Sequence, residues 1–277
     1  MQDIIEAIKI SAIKISQEIK KENRDYSENQ NSTGDNQLKI DILSDEIIEE
    51  EFKKVSSIYE IVSEEKEDVV AVNSNGIYKV GYDPLDGSSL IDVNLSVGSI
   101  FAIYKNSFNG KDLVGAVYIV YGPRMEMVVA IEDVKLYRFI GGDFKYIKNL
   151  TLNEKGKYIS TGATQKDWLP QHKKLIDEMF EQNYILSYSG GMVPDLHFLL
   201  LRGGGLFSYP ALINKPKSKL RMVFEIFPYA YIFEKAGGNA IDGKSRILDL
   251  KPTFIHDTCP SFFGSNYEIE LVKKAYK

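Results

Sequence analysis

The sequence has little of two residues that would point to particular kinds of site. It has one cysteine, Cys259, among 277 residues, so an intramolecular disulfide is excluded and a reducing cytoplasm is expected. Its three histidines, at positions 172, 197 and 256, are scattered along the chain and lack metal-site spacing. Neither a disulfide framework nor a histidine-based metal site is therefore expected.

Long apolar runs and an excess of basic charge are also missing. Residues 1–24 carry charges throughout, which predicts neither a signal peptide nor a membrane span. The formal net charge is −5 and no basic stripe with interleaved aromatic residues occurs, so nucleic-acid binding is not expected. A content of 44% hydrophobic residues is enough for a sizeable core, in one large domain or two tightly joined halves.

The first half of the chain reads as two helices followed by strands. Apolar residues at helical spacing predict a helix over residues 3–21, polar residues predict a loop over 23–37, and Ser44 is the expected N-cap of a second helix. Turn residues then separate candidate strands at 69–72, 77–82, 97–105, 114–121, 126–132 and 135–139. Such a hairpin-rich pattern predicts a mixed or largely antiparallel sheet in an N-terminal half, residues 1–150.

The second half, residues 151–277, alternates between strands and helices. The predicted strands are 158–161, 184–188, 205–209 and 239–241, and the predicted helices are 170–182, 191–202 and 220–236. This alternation predicts a second α/β layer, and the two halves together predict an α/β fold of layered sheets and helices.

The stretch "YDPLDGSSLID", residues 82–92, ends a predicted strand with two aspartates three residues apart. Asp83-Pro84 and Asp86-Gly87 are both turn-forming dipeptides, so the stretch is compatible with a simple turn. It is equally compatible with a divalent-metal site beside a phosphate-binding Gly-Ser-Ser turn.

Further acids stand upstream and downstream of this motif. Asp35 and Asp41 lie in "TGDNQLKID", and Glu64 and Glu65 begin a charge run that also reads as a solvated surface. Glu225 stands among Met222, Val223, Phe224, Ile226 and Phe227. Such a position is costly to bury without a partner or ligand, and the alternative is the polar face of an amphipathic helix.

Taken together, these segments resemble class 1 fructose-1,6-bisphosphatases. "GDNQLKIDILSDEII", "VSEE", "DPLDGSS", "GGMVPDLHFLLLRGGGLFSYP" and "KLRMVFEIFPYAYIFEKAGG" occur in the order and approximate spacing of that family, between about residues 30 and 264. The Asp-Pro motif alone is shared with inositol monophosphatases and other lithium-sensitive phosphatases. The resemblance implies a layered α/β/α/β/α sandwich, a Mg²⁺-dependent sugar bisphosphatase and a homotetramer.

The resemblance also implies roles for the acids. Glu64, Asp83 and the carbonyl of Leu85 would hold one Mg²⁺ or Mn²⁺ ion, and Asp83, Asp86 and Glu225 would hold a second. Asp35 matches the position of a third, weaker ion. Asp41 and Glu65 match the positions that orient and deprotonate the attacking water. Hard oxygen ligands of this kind suit such cations, which in turn offset the repulsion between the acids and an anionic substrate.

For the substrate, the resemblance implies two phosphate subsites. Asp86, Gly87, Ser88 and Ser89 would bind the 1-phosphate. Tyr188, Tyr209 and Lys219 match the 6-phosphate positions, although each is also compatible with an ordinary strand or loop residue. The arginine that a neighbouring subunit lends in this family is replaced here by Ser187.

The family's regulatory AMP site is altered. The lysine expected before Tyr78 is Ile77, and the expected arginine on a later strand is Lys105. Loss of one cation and of one bidentate guanidinium predicts weak AMP binding. We therefore expect a cytoplasmic, Mg²⁺-dependent fructose-1,6-bisphosphatase that is nearly insensitive to AMP. The alternatives are a sedoheptulose bisphosphatase or an inositol phosphatase of the same fold, or a non-catalytic metal-binding regulatory protein.

Overall fold

A computed structural model describes residues 1–21, 26–30 and 36–277 of the chain. The helices are α1 (Gln2–Ile19), α2 (Lys39–Phe52), α3 (Pro170–Glu181), α4 (Met192–Leu201), α5 (Phe227–Lys235) and α6 (Asn266–Ala275). Among these residues no helix combines the length and apolar character needed to cross a membrane.

The strands form three sheets. Strands β1 (Tyr26–Gln30) and β2 (Asn36–Leu38) make a small pair. The large sheet is built from β3 (Ile58–Ser63), β4 (Val70–Ala71), β5 (Tyr78–Asp86), β6 (Val97–Tyr104), β7 (Leu113–Tyr121), β8 (Glu126–Ala130), β9 (Val134–Ile140) and β10 (Asp143–Asn149). The second sheet is built from β11 (Tyr158–Thr161), β12 (Ile185–Leu186), β13 (Gly205–Tyr209), β14 (Asn239–Ile241) and β15 (Ser261–Gly264).

The large sheet runs β10-β9-β8-β7-β6-β5-β3-β4, antiparallel except for the parallel pair β3 and β5. The second sheet runs β12-β11-β13-β15-β14 and is mixed. Strand β6, with sequence VGSIFAIY, is buried along its whole length, which explains its nearly continuous apolar run. The predicted mixed sheet and the α/β layer after it are both confirmed.

Three apolar clusters stack these elements into five layers. Helices α1 and α2 pack on one face of the large sheet. Helices α4 and α5 fill the space between its other face and the second sheet. Helices α3 and α6 cover the outer face of the second sheet. Since the large sheet and the second sheet are each covered by helices on both faces, the layered α/β/α/β/α sandwich is confirmed.

Several local predictions are wrong or incomplete. Helix α2 begins at Lys39, and Ser44 is buried within it rather than capping it. The predicted helix 220–236 is split into a π-type turn, Met222–Ile226, and α5. The strands β3, β10 and β15 and the helix α6 were not predicted. Residues 26–30 and 36–38, which overlap the loop expected at 23–37, form a strand pair.

Candidate active site

A cavity of about 470 Å³ is lined by residues of both halves of the chain. It brings together all the predicted site residues that the structure describes: Asp41, Glu64, Glu65, Asp83, Leu85, Asp86, Gly87, Ser88, Ser89, Tyr188, Tyr209, Lys219 and Glu225. Asp35, the remaining predicted residue, lies outside the described residues. Residues from distant parts of the sequence thus converge on one site.

The two aspartates of the "DPLDG" motif belong to β5 rather than to a loop after it. Asp83 pairs with Ile100 of β6 and Asp86 pairs with Gly98, so three steps on β5 match two on β6. This bulge offsets the normal alternation of a strand, so that two residues three apart reach the same cavity. The Asp83 carboxylate also accepts the N–H of Leu85 at 2.9 Å, as in an Asx-turn. The motif is therefore both a turn and part of the cavity.

Glu225 is held close to these aspartates by the π-type turn. The Ile226 N–H donates to the Arg221 carbonyl five residues earlier, at 3.0 Å. The Arg221 N–H donates to Oε2 of Glu225 at 2.6 Å. Glu225 is only 5% exposed. The interpretation of Glu225 as an exposed residue on a polar helix face is therefore wrong, and the π-type turn lies at the cavity, where such turns often occur.

Asp83, Asp86 and Glu225 form a carboxylate cluster. One oxygen from each lies within 4.8 Å of the others. Burial, together with the negative charge of Glu64, raises the pKa of Asp83 well above its usual value. The same two causes raise the pKa of Asp86 to about 7 and that of Glu225 to about 8. Buried carboxylates this close together are stable in the ionised form only with positive charge between them, so these hard oxygen donors fit a divalent cation.

Arg221 is a functional candidate that the sequence interpretation missed. It lines the cavity, is 4% exposed and forms an ion pair with Glu64. Burial is the largest single influence on the Arg221 pKa and lowers it, but the negative charges of Glu64, Glu225 and further carboxylates together keep this pKa above its ordinary value. The sequence signal for Arg221 was its position four residues before Glu225 in an apolar stretch. That spacing brings two side chains together on one helical turn.

The Gly-Ser-Ser turn lies beside the carboxylate cluster. Gly87 has φ +77°, a conformation that glycine adopts without strain, and a short 3₁₀ helix follows at Ser88–Val93. The Ser88 hydroxyl donates to Oδ2 of Asp41 at 3.1 Å. At the start of α4, the Val193 N–H donates to Oδ2 of Asp86 at 2.7 Å. Small residues and helix-end N–H groups therefore surround the acids.

Tyr188, Tyr209 and Lys219 line the same cavity but are not part of the carboxylate cluster. Tyr188 is 46% exposed, and Lys219 is exposed in the segment before Arg221. Burial and then the neighbouring Tyr209 raise the pKa of Tyr188 to about 12, so its hydroxyl remains a hydrogen-bond donor. Burial raises the pKa of Tyr209 as well, and Lys219 acts in the opposite direction. Two hydroxyl donors and a cation suit an anion that is bound without metal.

Asp195 is a second cavity residue that the sequence interpretation missed. It is buried on α4, and Oδ1 accepts the Ser189 N–H at 2.8 Å. Burial raises its pKa to about 6. Its place in the sequence, inside an apolar helix and two residues before His197, resembles that of Glu225 and was the available signal.

Sequence models of a known family match both halves of the chain. Residues 1–147 match the N-terminal domain of fructose-1,6-bisphosphatase, and residues 152–277 match its C-terminal domain. Proteins called fructose-1,6-bisphosphatase class 1 are similar over the full chain. The one from Campylobacter hominis is 51% identical with 100% of both chains covered, and one from Campylobacter jejuni is 50% identical with 100% of this chain and 99% of that protein covered.

Solved structures agree with these relatives. The fructose-1,6-bisphosphatase of Leishmania major in holo form has a TM-score of 0.93 at 31% identity, with 99% of this chain and 93% of that chain covered. A putative sedoheptulose-1,7-bisphosphatase from Toxoplasma gondii has a TM-score of 0.91 at 29% identity, with the same coverage. By sequence and by fold, the chain belongs to the class 1 fructose-1,6-bisphosphatase family.

Proposed function

We propose that this protein hydrolyses the 1-phosphate of fructose 1,6-bisphosphate and releases fructose 6-phosphate and inorganic phosphate. Family membership and the names of its full-length relatives support this activity. The observation that carries it is the composition of the cavity lining. It combines a buried carboxylate cluster and a Gly-Ser-Ser turn with a separate set of two tyrosines and a lysine. A substrate with two phosphates needs one reactive end and one end that only binds.

The carboxylates would hold Mg²⁺, or Mn²⁺ in its place, with roughly two to three ions per site. Glu64, Asp83 and the Leu85 carbonyl would form one position, and Asp83, Asp86 and Glu225 a second. When bound, such ions offset the negative charge of the phosphoryl group and make water more acidic. Glu64 forms an ion pair with Arg221, so it would have to release that guanidinium in order to hold a metal ion. Asp35 would support a third position.

Asp41 and Glu65 would act on the attacking water. The Ser88 hydroxyl holds one oxygen of Asp41, which fixes the orientation of that carboxylate. A carboxylate held in this way accepts the proton that water loses when it attacks phosphorus. Gly87, Ser88 and Ser89, with Asp86 beside them, would hold the 1-phosphate. Ser88 and Ser89 begin the 3₁₀ helix, where backbone N–H groups have no carbonyl partner within the helix, and their N–H groups would donate to phosphate oxygens.

Tyr188, Tyr209 and Lys219 would bind the 6-phosphate. The two hydroxyls remain protonated because their pKa values are raised, and Lys219 supplies the positive charge. Asp195 supports this subsite indirectly, since it holds the backbone next to Tyr188 through the Ser189 N–H. The subsite would select sugars that carry a second phosphate.

We also propose a cellular location, a pathway and an assembly for the enzyme. The single cysteine supports a reducing cytoplasm, and the reaction supports a place in gluconeogenesis. A homotetramer is the assembly that the family resemblance implies. Residues 1–150 would form the metal-site half, and residues 151–277 the half that binds the sugar phosphate.

Phosphate release from a panel of sugar phosphates, with and without Mg²⁺, tests the proposal. Fructose 1,6-bisphosphate should be the preferred substrate, and removal of Mg²⁺ should abolish turnover. Preference for sedoheptulose 1,7-bisphosphate would favour the activity named for the similar Toxoplasma gondii protein. Preference for inositol monophosphate would contradict a two-phosphate site. No release from any substrate would favour a non-catalytic metal-binding role.

A further inference from the structure

A second cavity, of about 630 Å³, lies outside the active site. Its walls come from β7, β8 and the loop between them, from β9 and β10, and from α4. Four cationic side chains line it: Arg124, Arg138, Lys148 and Arg202. Glu126 is the carboxylate among the lining residues. This concentration of positive charge occurs on a chain whose formal net charge is −5.

The cations are only partly neutralised. Arg138 donates through Nε to Oε1 of Glu126 at 2.7 Å, and Arg124 lies 3.5 Å from the same oxygen. Within the described part of the chain, Lys148 and Arg202 have no carboxylate within 4.0 Å. The Arg202 guanidinium lies 5.5 Å from the ring of Phe198 instead. Two full positive charges are therefore available to a bound anion.

A buried network holds this wall in place. Glu126 is 3% exposed, and its other oxygen, Oε2, lies 3.0 Å from Nε2 of His197. His197 in turn lies 2.9 Å from the hydroxyl of Tyr118 through Nδ1. The hydrogen bonds from His197 and Arg138 lower the pKa of Glu126 to about 2, so Glu126 stays ionised. Because Nε of Arg138 is fixed on this anchor, the rest of its planar fork is pre-organised for a further acceptor.

The cavity also has apolar surface, from residues such as Val120, Leu136, Ile147 and Leu201. We propose that it binds a small organic polyanion, a carbon skeleton that carries at least two phosphate or carboxylate groups. Guanidinium forks and a lysine would bind the anionic groups, and the apolar residues would contact the carbon atoms. Phosphorylated and polycarboxylic compounds share this chemistry.

The site is distinct from the active site. The two cavities share no lining residue, although helix α4 borders both: the Val193 N–H contacts the carboxylate cluster, and Pro194 and His197 line the basic cavity. Arg202, just after the helix end, is nine residues from Val193, roughly 14 Å along the helix. Removal of the charges of Lys148 and Arg202 should therefore leave catalysis intact.

Calorimetric titration of the full-length protein in Mg²⁺ tests the proposal. The two probes are propane-1,3-diyl bisphosphonate, which is not hydrolysed, and propane-1,2,3-tricarboxylate. The test variant is Lys148→Ser/Arg202→Ser. The control, Lys173→Ser/Lys174→Ser, removes two exposed lysines from α3, outside the cavity. Thermal unfolding and phosphate release check that both variants are folded and active.

We expect at least one probe to bind the wild type and the control equally, and to bind the test variant at least about tenfold more weakly. Tighter binding of the bisphosphonate identifies phosphorylated compounds as the natural class, and tighter binding of the tricarboxylate identifies carboxylic acids. The proposal is wrong if neither probe binds at millimolar concentration, or if the test variant binds as tightly as the wild type. A change of oligomeric state in the test variant without probe binding to the wild type would also refute it, because the cavity would then be an interface between copies.

Discussion

The substitution Glu225→Gln tests how far the buried carboxylate cluster destabilises the metal-free protein when its carboxyl groups ionise. Burial raises the pKa of Glu225 to about 8 and that of Asp86 to about 7, whereas unfolded carboxyls titrate near pH 4. The folded metal-free protein therefore holds protons that the unfolded chain has already released. This contribution to stability is complete below the unfolded pKa and is lost as pH rises through the folded values.

The size of this change in stability follows from the linkage between proton binding and folding. For a carboxyl with a folded pKa of about 8, the free energy of unfolding falls by about 2–3 kcal/mol between pH 6 and pH 8.5. A contribution from Asp86 brings the loss to about 3–4 kcal/mol. For a protein of this size, that corresponds to roughly 5–10 °C in Tm. The amide introduced by Glu225→Gln would keep an acceptor for the Arg221 N–H but would carry no charge.

Thermal unfolding in EDTA measures this directly. The Tm of the wild type should fall between pH 6 and pH 8.5, and that of Glu225→Gln should fall less, so that the variant is the more stable protein at pH 8.5. Saturating Mg²⁺ should reverse this order, because the variant loses a ligand. Glu178→Gln, at an exposed position on α3, is the matched control and should follow the wild type. A metal-free wild type equally stable at both pH values would refute the argument.

Three further predictions concern catalysis, the second phosphate and regulation. Glu65→Gln and Asp41→Asn should each lower kcat by roughly 100-fold or more, and the Mg²⁺ concentration that gives half-maximal activity should change little. If excess Mg²⁺ restores the rate, these residues are metal ligands instead. Lys219→Ala should raise KM for fructose 1,6-bisphosphate by about tenfold while kcat stays within about twofold, and an unchanged KM would remove it from the 6-phosphate site. With Ile77 and Lys105 in place of the family's lysine and arginine, the affinity for AMP should be roughly 100-fold lower than that of the family's site. Half-maximal inhibition by micromolar AMP would contradict this.

The fold was largely predictable where hydrophobic patterns are strong. Buried strands such as β6 and β7 read as continuous apolar runs, and α1 has apolar residues at helical spacing. Strand β10 was missed because it lies at the sheet edge and most of its residues are exposed, three of them charged. The start of α2 was misplaced because Ser44 resembles an N-cap, whereas the structure buries it inside the helix. Burial in the tertiary structure therefore outweighed the local preference of serine for an N-cap position.

The site was predictable in composition but not in geometry. The acids could be selected by resemblance and by the cost of burying Glu225. The bulge that aligns Asp83 with Asp86 depends on pairing with β6, and the π-type turn at Arg221 depends on packing between the sheets. Neither has a local sequence signal, and the partnership of Arg221 with Glu64 joins residues 157 positions apart. The geometry of the site therefore depends on long-range contacts, which the local sequence pattern does not reveal.

The central claim is that metal held by Asp83 is required for hydrolysis of fructose 1,6-bisphosphate. Its most direct test is the rate of phosphate release from this substrate by Asp83→Asn at saturating Mg²⁺, with the fold verified by circular dichroism. Asp83 is 3% exposed and belongs to the three-carboxylate cluster, and a neutral amide there cannot balance the charge of the cations. We predict a loss of roughly 1,000-fold or more in kcat. Activity like that of the wild type in a folded Asp83→Asn protein would contradict the account.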